Sequence, residues 1–187
     1  MKKLLPLVVL LSFASLALAN TTTINFEQYP LYTQITNQYA ATDGVVFTNA
    51  LQLVAPFYDY FDFPPHSGSG VITNDPNDPI QVNFTHPSTY IVSAWYADPG
   101  GIQVTAYSSA NAVLASVAGA GVIGSDLQFK LSSTTPISYI TISDAGGNPD
   151  NMIVDDLSFA TPEPSSLALL GSGVLGLAGV LRRRISR

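Results

Sequence analysis

Residues 102–109 read IQVTAYSS, and the alternation of Ile102, Val104 and Ala106 with polar neighbours is the signature of a strand half in a core and half in water. The stretch 126–132, DLQFKLS, repeats it and places Leu127, Phe129 and Leu131 together on an inward face. Working outward from these two segments, period-two patterning runs through residues 22–160 with no convincing helix. It predicts strands at 22–26, 45–54, 70–73, 80–84, 89–96, 102–107, 112–117, 126–131, 137–143 and 152–160. Turn-forming clusters separate them, among them Asp43-Gly44, Pro64-Pro65, residues 74–79, residues 98–101 and residues 146–150. The expected fold is all-β, a jelly-roll β-sandwich of about eight to ten strands.

The two ends of the chain have a different composition. Lys2 and Lys3, an uncharged run from Leu4 to Leu18 and the small-x-small pattern Ala17-Leu18-Ala19 predict a signal peptide over residues 1–19. Residues 165–181 are again uncharged, and Arg182, Arg183 and Arg184 follow directly. Seventeen residues make about 25 Å of helix, enough for a thin bilayer, so a single transmembrane helix is expected with its arginines on the cytoplasmic side. The domain plan is then 1–19, a sandwich over 20–160, and a C-terminal segment over 161–187 with a basic tail from residue 182.

Charge and cysteine content narrow the chemistry. Between Asn20 and Glu163 thirteen acidic residues face a single base, Lys130, a balance of −12. Nucleic acid needs a basic footprint and is excluded as a partner. The chain has no cysteine, which removes disulfides, thiolate metal sites and cysteine nucleophiles. No Gly-x-Ser-x-Gly turn opens a helix, and His66 and His86 are the only imidazoles, both beside turn residues. Asp59 with Asp62, and Asp75 with Asp78, are carboxylate pairs of the kind glycoside hydrolysis uses, but acidic turn residues are common. A non-enzymatic domain with no catalytic residues is expected.

In MIVDDLSFAT, residues 152–161, Ile153, Leu157 and Phe159 share a parity that puts Asp155 on the inward side and Asp156 on the other. An inward carboxylate has to be paired, hydrogen-bonded or bound to metal. Calcium satisfies this in a domain so poor in bases, with Glu27, directly after the first strand, as a second carboxylate. A bulge that turns Asp155 outward, or backbone N–H donors, would satisfy it equally. The segment APFYDYFDFPPHSGSG, residues 55–70, holds five aromatic residues within seven positions. Tyr58, Tyr60 and Phe61 are candidates for stacking on sugar rings, the alternative being a loop that plugs one end of the core. Trp95 is expected inward with Ile91, which makes its neighbour Tyr96 the surface member of the ligand-binding set.

Two resemblances sharpen these expectations. Pro162-Glu163-Pro164-Ser165-Ser166, the apolar run with its glycines and the arginine cluster resemble the PEP-CTERM sorting signal of Gram-negative bacteria. That likeness implies export, a transient anchor in the inner membrane, recognition of Pro162, Glu163 and Pro164 by an exosortase-type membrane protease, and delivery to the cell surface or beyond. The segments INFE (24–27), GVVF (44–47) and VDDLSF (154–159) resemble galactose-binding-like or carbohydrate-binding-module jelly rolls. That resemblance implies a structural calcium between the terminal strands, by position at Glu27 and Asp155, and an extracellular polysaccharide as partner. The function expected is polysaccharide binding by an exported surface or matrix protein. A structural matrix protein without a ligand site is the alternative, and a secreted glycan-acting enzyme the third.

Overall fold

The computed structural model describes residues 20–74, 78–85, 89–146 and 152–161. The expected signal peptide, the sorting motif at 162–164, the apolar segment, the arginines at 182–184, and Asp75 and His86 lie outside the described residues. The strands run in chain order as β1 (Asn20–Ile24), β2 (Gln34–Ile35), β3 (Val45–Thr48), β4 (Ala50–Val54), β5 (Gly70–Asn74) and β6 (Ile80–Phe84). They continue as β7 (Thr89–Asp98), β8 (Ile102–Tyr107), β9 (Val113–Gly119), β10 (Val122–Ile137), β11 (Tyr139–Asp144) and β12 (Ile153–Thr161). One sheet has the order β10-β7-β12-β5-β4-β2, with β1 also pairing with β12, and will be called the seven-stranded sheet. The other, five-stranded, has the order β3-β6-β11-β8-β9. The two form an all-β sandwich of the jelly-roll kind.

The alternation read from the sequence builds the interior. Ile102, Val104 and Ala106 on β8, Ile140 and Ile142 on β11, and Ile80 and Val82 on β6 are buried against Val92, Ala94, Val154, Leu157, Phe159 and Phe129 of the facing sheet. With no disulfide, burial of such side chains, about 1.5–3 kcal/mol each, is what offsets chain entropy. Leu127 has the inward parity expected of it but is 40 % exposed, because it lies beside a register irregularity on the edge strand β10.

Three local features depart from the simple alternation. The expected strand 45–54 is broken at Asn49, which takes a left-handed φ of 58°. Asparagine tolerates that conformation, and the corner passes the chain from β3 in one sheet to β4 in the other. Strand β10 is 16 residues long where 126–131 was expected, since its register irregularities erase alternation at both ends. On β12 the register shifts between Asp155 and Ser158, and Asp156 takes a φ of 47°. This bulge corrects the parity expected from the sequence. Val154 and Leu157 both face the main core, whereas Asp155 shares the outer face of the seven-stranded sheet with Ile153.

That outer face is covered in part: Ile91, Gln128 and Lys130 are exposed on it, while its middle is closed over. The segment between β4 and β5, residues 55–69, lies across it as a strap. Val71, Ala97 and Ile153 form a second buried cluster there, covered by Leu53, Tyr58, Phe63 and Val122. The Gly124 amide donates to the Asp62 carbonyl at 2.8 Å. Farther along, His66 Nδ1 lies 2.5 Å from Asp126 Oδ2, and the imidazole stacks on Trp95 with ring centroids 3.7 Å apart and planes 5° off parallel. Of the five aromatic residues, Tyr58 and Phe63 cover this second cluster, whereas Phe57 and Phe61 are exposed; the segment covers the outside of a sheet rather than plugging an end of the core.

Candidate functional site

The two carboxylates expected to bind calcium both hold the strap. Asp155 is 1 % exposed; its Oδ2 accepts the Ser67 amide at 2.9 Å and its Oδ1 the Asp156 amide at 2.7 Å. Burial pushes its carboxyl up to about 6, opposed by the amides of Ser67, Asp156 and His66, with the Asp156 charge adding to the rise. Glu27, exposed at the end of β1, accepts the Ser69 amide at 2.9 Å and the Gly70 amide at 2.7 Å through Oε1. The expected adjacency of the terminal strands is present, since β1 pairs with β12. Yet the two carboxylates are taken by successive amides of one backbone stretch. Calcium takes six to eight oxygens, and among the described residues no group of three or more His, Cys, Asp or Glu could hold a metal ion. The residues at this place do not fit such an ion, and backbone donors are what satisfy Asp155.

The four expected ligand-binding aromatics are not brought together. Tyr96 is 2 % exposed, inside the main core, with its hydroxyl donating to the Ala120 carbonyl at 2.9 Å. The expected assignment is thus reversed: Tyr96 faces in and Trp95 faces out, half-buried under His66. Alternation gives the pair opposite faces, and the strap shields Trp95 in part on the outer one. Tyr96→Phe should cost about 1 kcal/mol through loss of that hydroxyl bond, measurable as a lowered urea midpoint. Tyr58 lies under the strap with its hydroxyl buried, and burial, with the charges of Asp155 and Glu27 adding, pushes that hydroxyl well above its usual range. Tyr60 and Phe61 remain near the surface as neighbouring rings 4.3 Å apart, Phe61 being 75 % exposed. A cleft of about 200 Å³ lies nearby, lined by Phe26, Glu27, Tyr29, Phe57 and Gly70 among others.

A more extended surface is the outer face of the five-stranded sheet. The residues that alternate with the core positions of β8 and β11 are Gln103, Thr105 and Tyr107, and Tyr139, Thr141 and Ser143. Register aligns Asn83, Tyr139 and Tyr107 in one row across β6, β11 and β8, and Gln81, Thr141, Thr105 and Ser116 in the next row, which reaches β9. Tyr107 and Tyr139 stack with centroids 4.6 Å apart and planes 10° off parallel. Hydrogen bonds fix the polar groups around them. Gln81 Nε2 donates to Asn83 Oδ1 at 2.8 Å, Gln103 Nε2 to Ser116 Oγ at 2.6 Å, and the Tyr139 hydroxyl to Asn111 Oδ1 at 3.2 Å. Strands β3, β6, β8, β9 and β11 contain no acidic or basic residue except Asp144, which has inward parity at the end of β11. The outward side chains of these strands are uncharged and rich in amides and hydroxyls around an aromatic pair. The signal for it was in IQVTAYSS itself, whose outward half carries the site while its inward half carries the core.

A two-sheet β-sandwich followed by an export-sorting segment defines the class of protein to which this chain conforms. Residues 160–184 match the PEP-CTERM protein-sorting motif, a signal for processing by an exosortase-type membrane enzyme. A search of curated proteins finds no match. Among solved structures the sandwich is similar to the K2 cleaved adhesin domain of Lys-gingipain, at 13 % identity and a TM-score of 0.53, over 75 % of this chain and 99 % of that one. It also aligns with a family 29 carbohydrate-binding module solved in complex with mannohexaose, at 14 % identity and a TM-score of 0.47, over 77 % and 93 % of the two chains. The adhesin-domain likeness establishes the fold.

Proposed function

We propose that this chain is an exported, exosortase-processed surface or matrix protein whose sandwich binds neutral polysaccharide on the outer face of the five-stranded sheet. The observation that carries the reading is the stacked Tyr107–Tyr139 pair set among side-chain amides and hydroxyls on a face without charge. Aromatic rings cover the apolar faces of sugars while amides and hydroxyls exchange hydrogen bonds with their hydroxyl groups. The rest of the domain is strongly acidic, so a uronate or sulfated chain would be repelled on approach. Binding needs no catalytic group, and the reading assigns none. The sorting motif supports delivery across the inner membrane, with the apolar segment 165–181 as a transient anchor until processing.

The test is retention of the full chain on immobilised neutral glucans and mannans compared with uronate-containing and sulfated glycans. Tyr107→Ala and Tyr139→Ala should each weaken binding roughly ten-fold or more, whereas Phe61→Ala should leave it unchanged. Loss with Phe61→Ala but not with the sheet variants would move the site to the strap. Preferential retention on anionic glycans, or none on any neutral one, would defeat the proposal.

A further inference from the structure

Just after β1, Phe26 takes a left-handed φ of 55° with its ring buried, and Glu27 follows it at the surface. The carboxylate of Glu27 is fixed against the end of the strap. Its Oε1 accepts the amides of Ser69 and Gly70, and a Cβ on Gly68 would overlap it. Its Oε2 receives only the Ser69 hydroxyl, at 3.3 Å. A carboxylate has about four acceptor positions, so two amides and one hydroxyl leave Oε2 able to take another donor. Among the described residues no base pairs with it. Glu27 also lines the cleft of about 200 Å³, together with Phe26, Leu31, Val54, Phe57 and Ser69. Phe57 is 66 % exposed, so its ring is accessible to whatever enters.

The chemistry of this cleft selects its occupant. With thirteen acidic residues against one base between Asn20 and Glu163, the sandwich repels anions and draws in cations. The lining is mostly apolar, and a sugar ring would turn several hydroxyl groups toward Phe26, Leu31, Val54 and Phe57, which give them no partner. An alkyl stem suits those walls, and an aromatic ring attracts a cation as well. A guanidinium binds a carboxylate best as a fork on both oxygens, but Oε1 is already filled by two amides. An ammonium is a compact point charge and needs only the position left at Oε2. We infer that the cleft is a binding site for a lysine-type alkyl ammonium presented by a protein partner, its stem along Leu31, Val54 and Phe57 and its charge on Glu27 Oε2. The sandwich does not fill the cleft itself, because its one lysine, Lys130, stands on the edge strand β10, away from the β5 end that holds Glu27. The site is also separate from the Tyr107–Tyr139 face, which belongs to the other sheet, and does not rest on the polysaccharide reading.

The experiment follows the methyl NMR signals of Leu31 and Val54 in the full chain in detergent, at physiological ionic strength, while Nα-acetyl-lysine methylamide is added. Those methyls should shift saturably, and the arginine and Nε-acetyl-lysine counterparts should bind more weakly. Glu27→Gln, which keeps an acceptor for the strap amides, should raise the dissociation constant roughly five- to ten-fold. Phe57→Ala, at an exposed position and with no change of charge, should raise it by roughly three-fold. Asp78→Asn, which removes one exposed charge elsewhere, should leave it unchanged. Should Glu27→Gln fail to fold, Phe57→Ala and the Nε-acetyl probe decide. Equal binding of the Nε-acetyl probe, or an unchanged constant in Glu27→Gln, would overturn the ammonium assignment. Tighter binding of glucosamine would make the cleft a sugar site instead. Weakening by Asp78→Asn as large as that by Glu27→Gln would reduce the effect to bulk charge and defeat the proposal.

Discussion

Asp155→Ala is expected to lower the stability of the sandwich by about 2–4 kcal/mol, read as a fall in the urea midpoint at unchanged slope. The cause is not loss of an ion pair, since the nearby His66 imidazole is paired with Asp126. The substitution leaves the amides of Ser67 and Asp156, and that of His66, without the acceptor that now receives them inside a covered site. It also releases the strap where it crosses β12, so water reaches the cluster of Val71, Ala97 and Ile153. Trp95, the chain's one tryptophan, stacks under His66 of the same strap, and its fluorescence should shift to the red before global unfolding. Glu27→Ala removes an exposed acceptor of two amides and should cost less, about 1 kcal/mol. Asp155→Asn keeps one acceptor oxygen and should fall between them. If alanine at position 155 costs under 1 kcal/mol with Trp95 emission unchanged, the strap is not held in this way.

The contrast between β8 and β12 explains how much could be read from the sequence. On β8 the alternation is uninterrupted, both ends are marked by turn residues, and the strand occupies residues 102–107 as expected. On β12 a single bulge at Asp156 inverts the parity of everything before it, and no residue type in VDDLSF announces a bulge. Asp155 was rightly singled out as a carboxylate needing partners, but its partners are amides on a loop some 88 positions away in sequence, which no local pattern reveals. Trp95 and Tyr96 failed for a related reason. Period two assigns opposite faces to neighbours but does not say which face is interior, and here the strap covers the side opposite the core. The polar half of the five-stranded sheet is not legible locally, because Gln103, Thr105, Thr141 and Ser143 are ordinary surface residues singly. Only cross-strand register gathers them around Tyr107 and Tyr139.

The buried state of Asp155 also has a consequence in pH. Its carboxyl titrates at about 6 in the folded protein against 3.8 in the unfolded chain, because burial outweighs the backbone donors. Between these values the folded state binds more protons than the unfolded one, so this group's contribution to stability falls as pH rises through the window and is level above it. The difference of about two pH units corresponds to a ceiling of about 3 kcal/mol. The ionisable groups around it, Asp156 beside it, Glu27 and the neutral Tyr58 hydroxyl toward the strap's end, and His66 with Asp126 on the strap's far side, are common to the wild type and Asp155→Asn. Subtracting the two stability profiles, both measured in chelator from pH 4 to pH 7.5, therefore isolates residue 155. The wild type should lose roughly 2–3 kcal/mol relative to the asparagine variant across that range. A flat difference would mean that the amides of Ser67, Asp156 and His66 balance the cost of burial, and a difference that rises with pH would mean that they exceed it. In either case the strap would be held by a carboxylate comfortable in its charge, and the account of why this face of the sheet stays closed would have to rest on the aromatic cover alone.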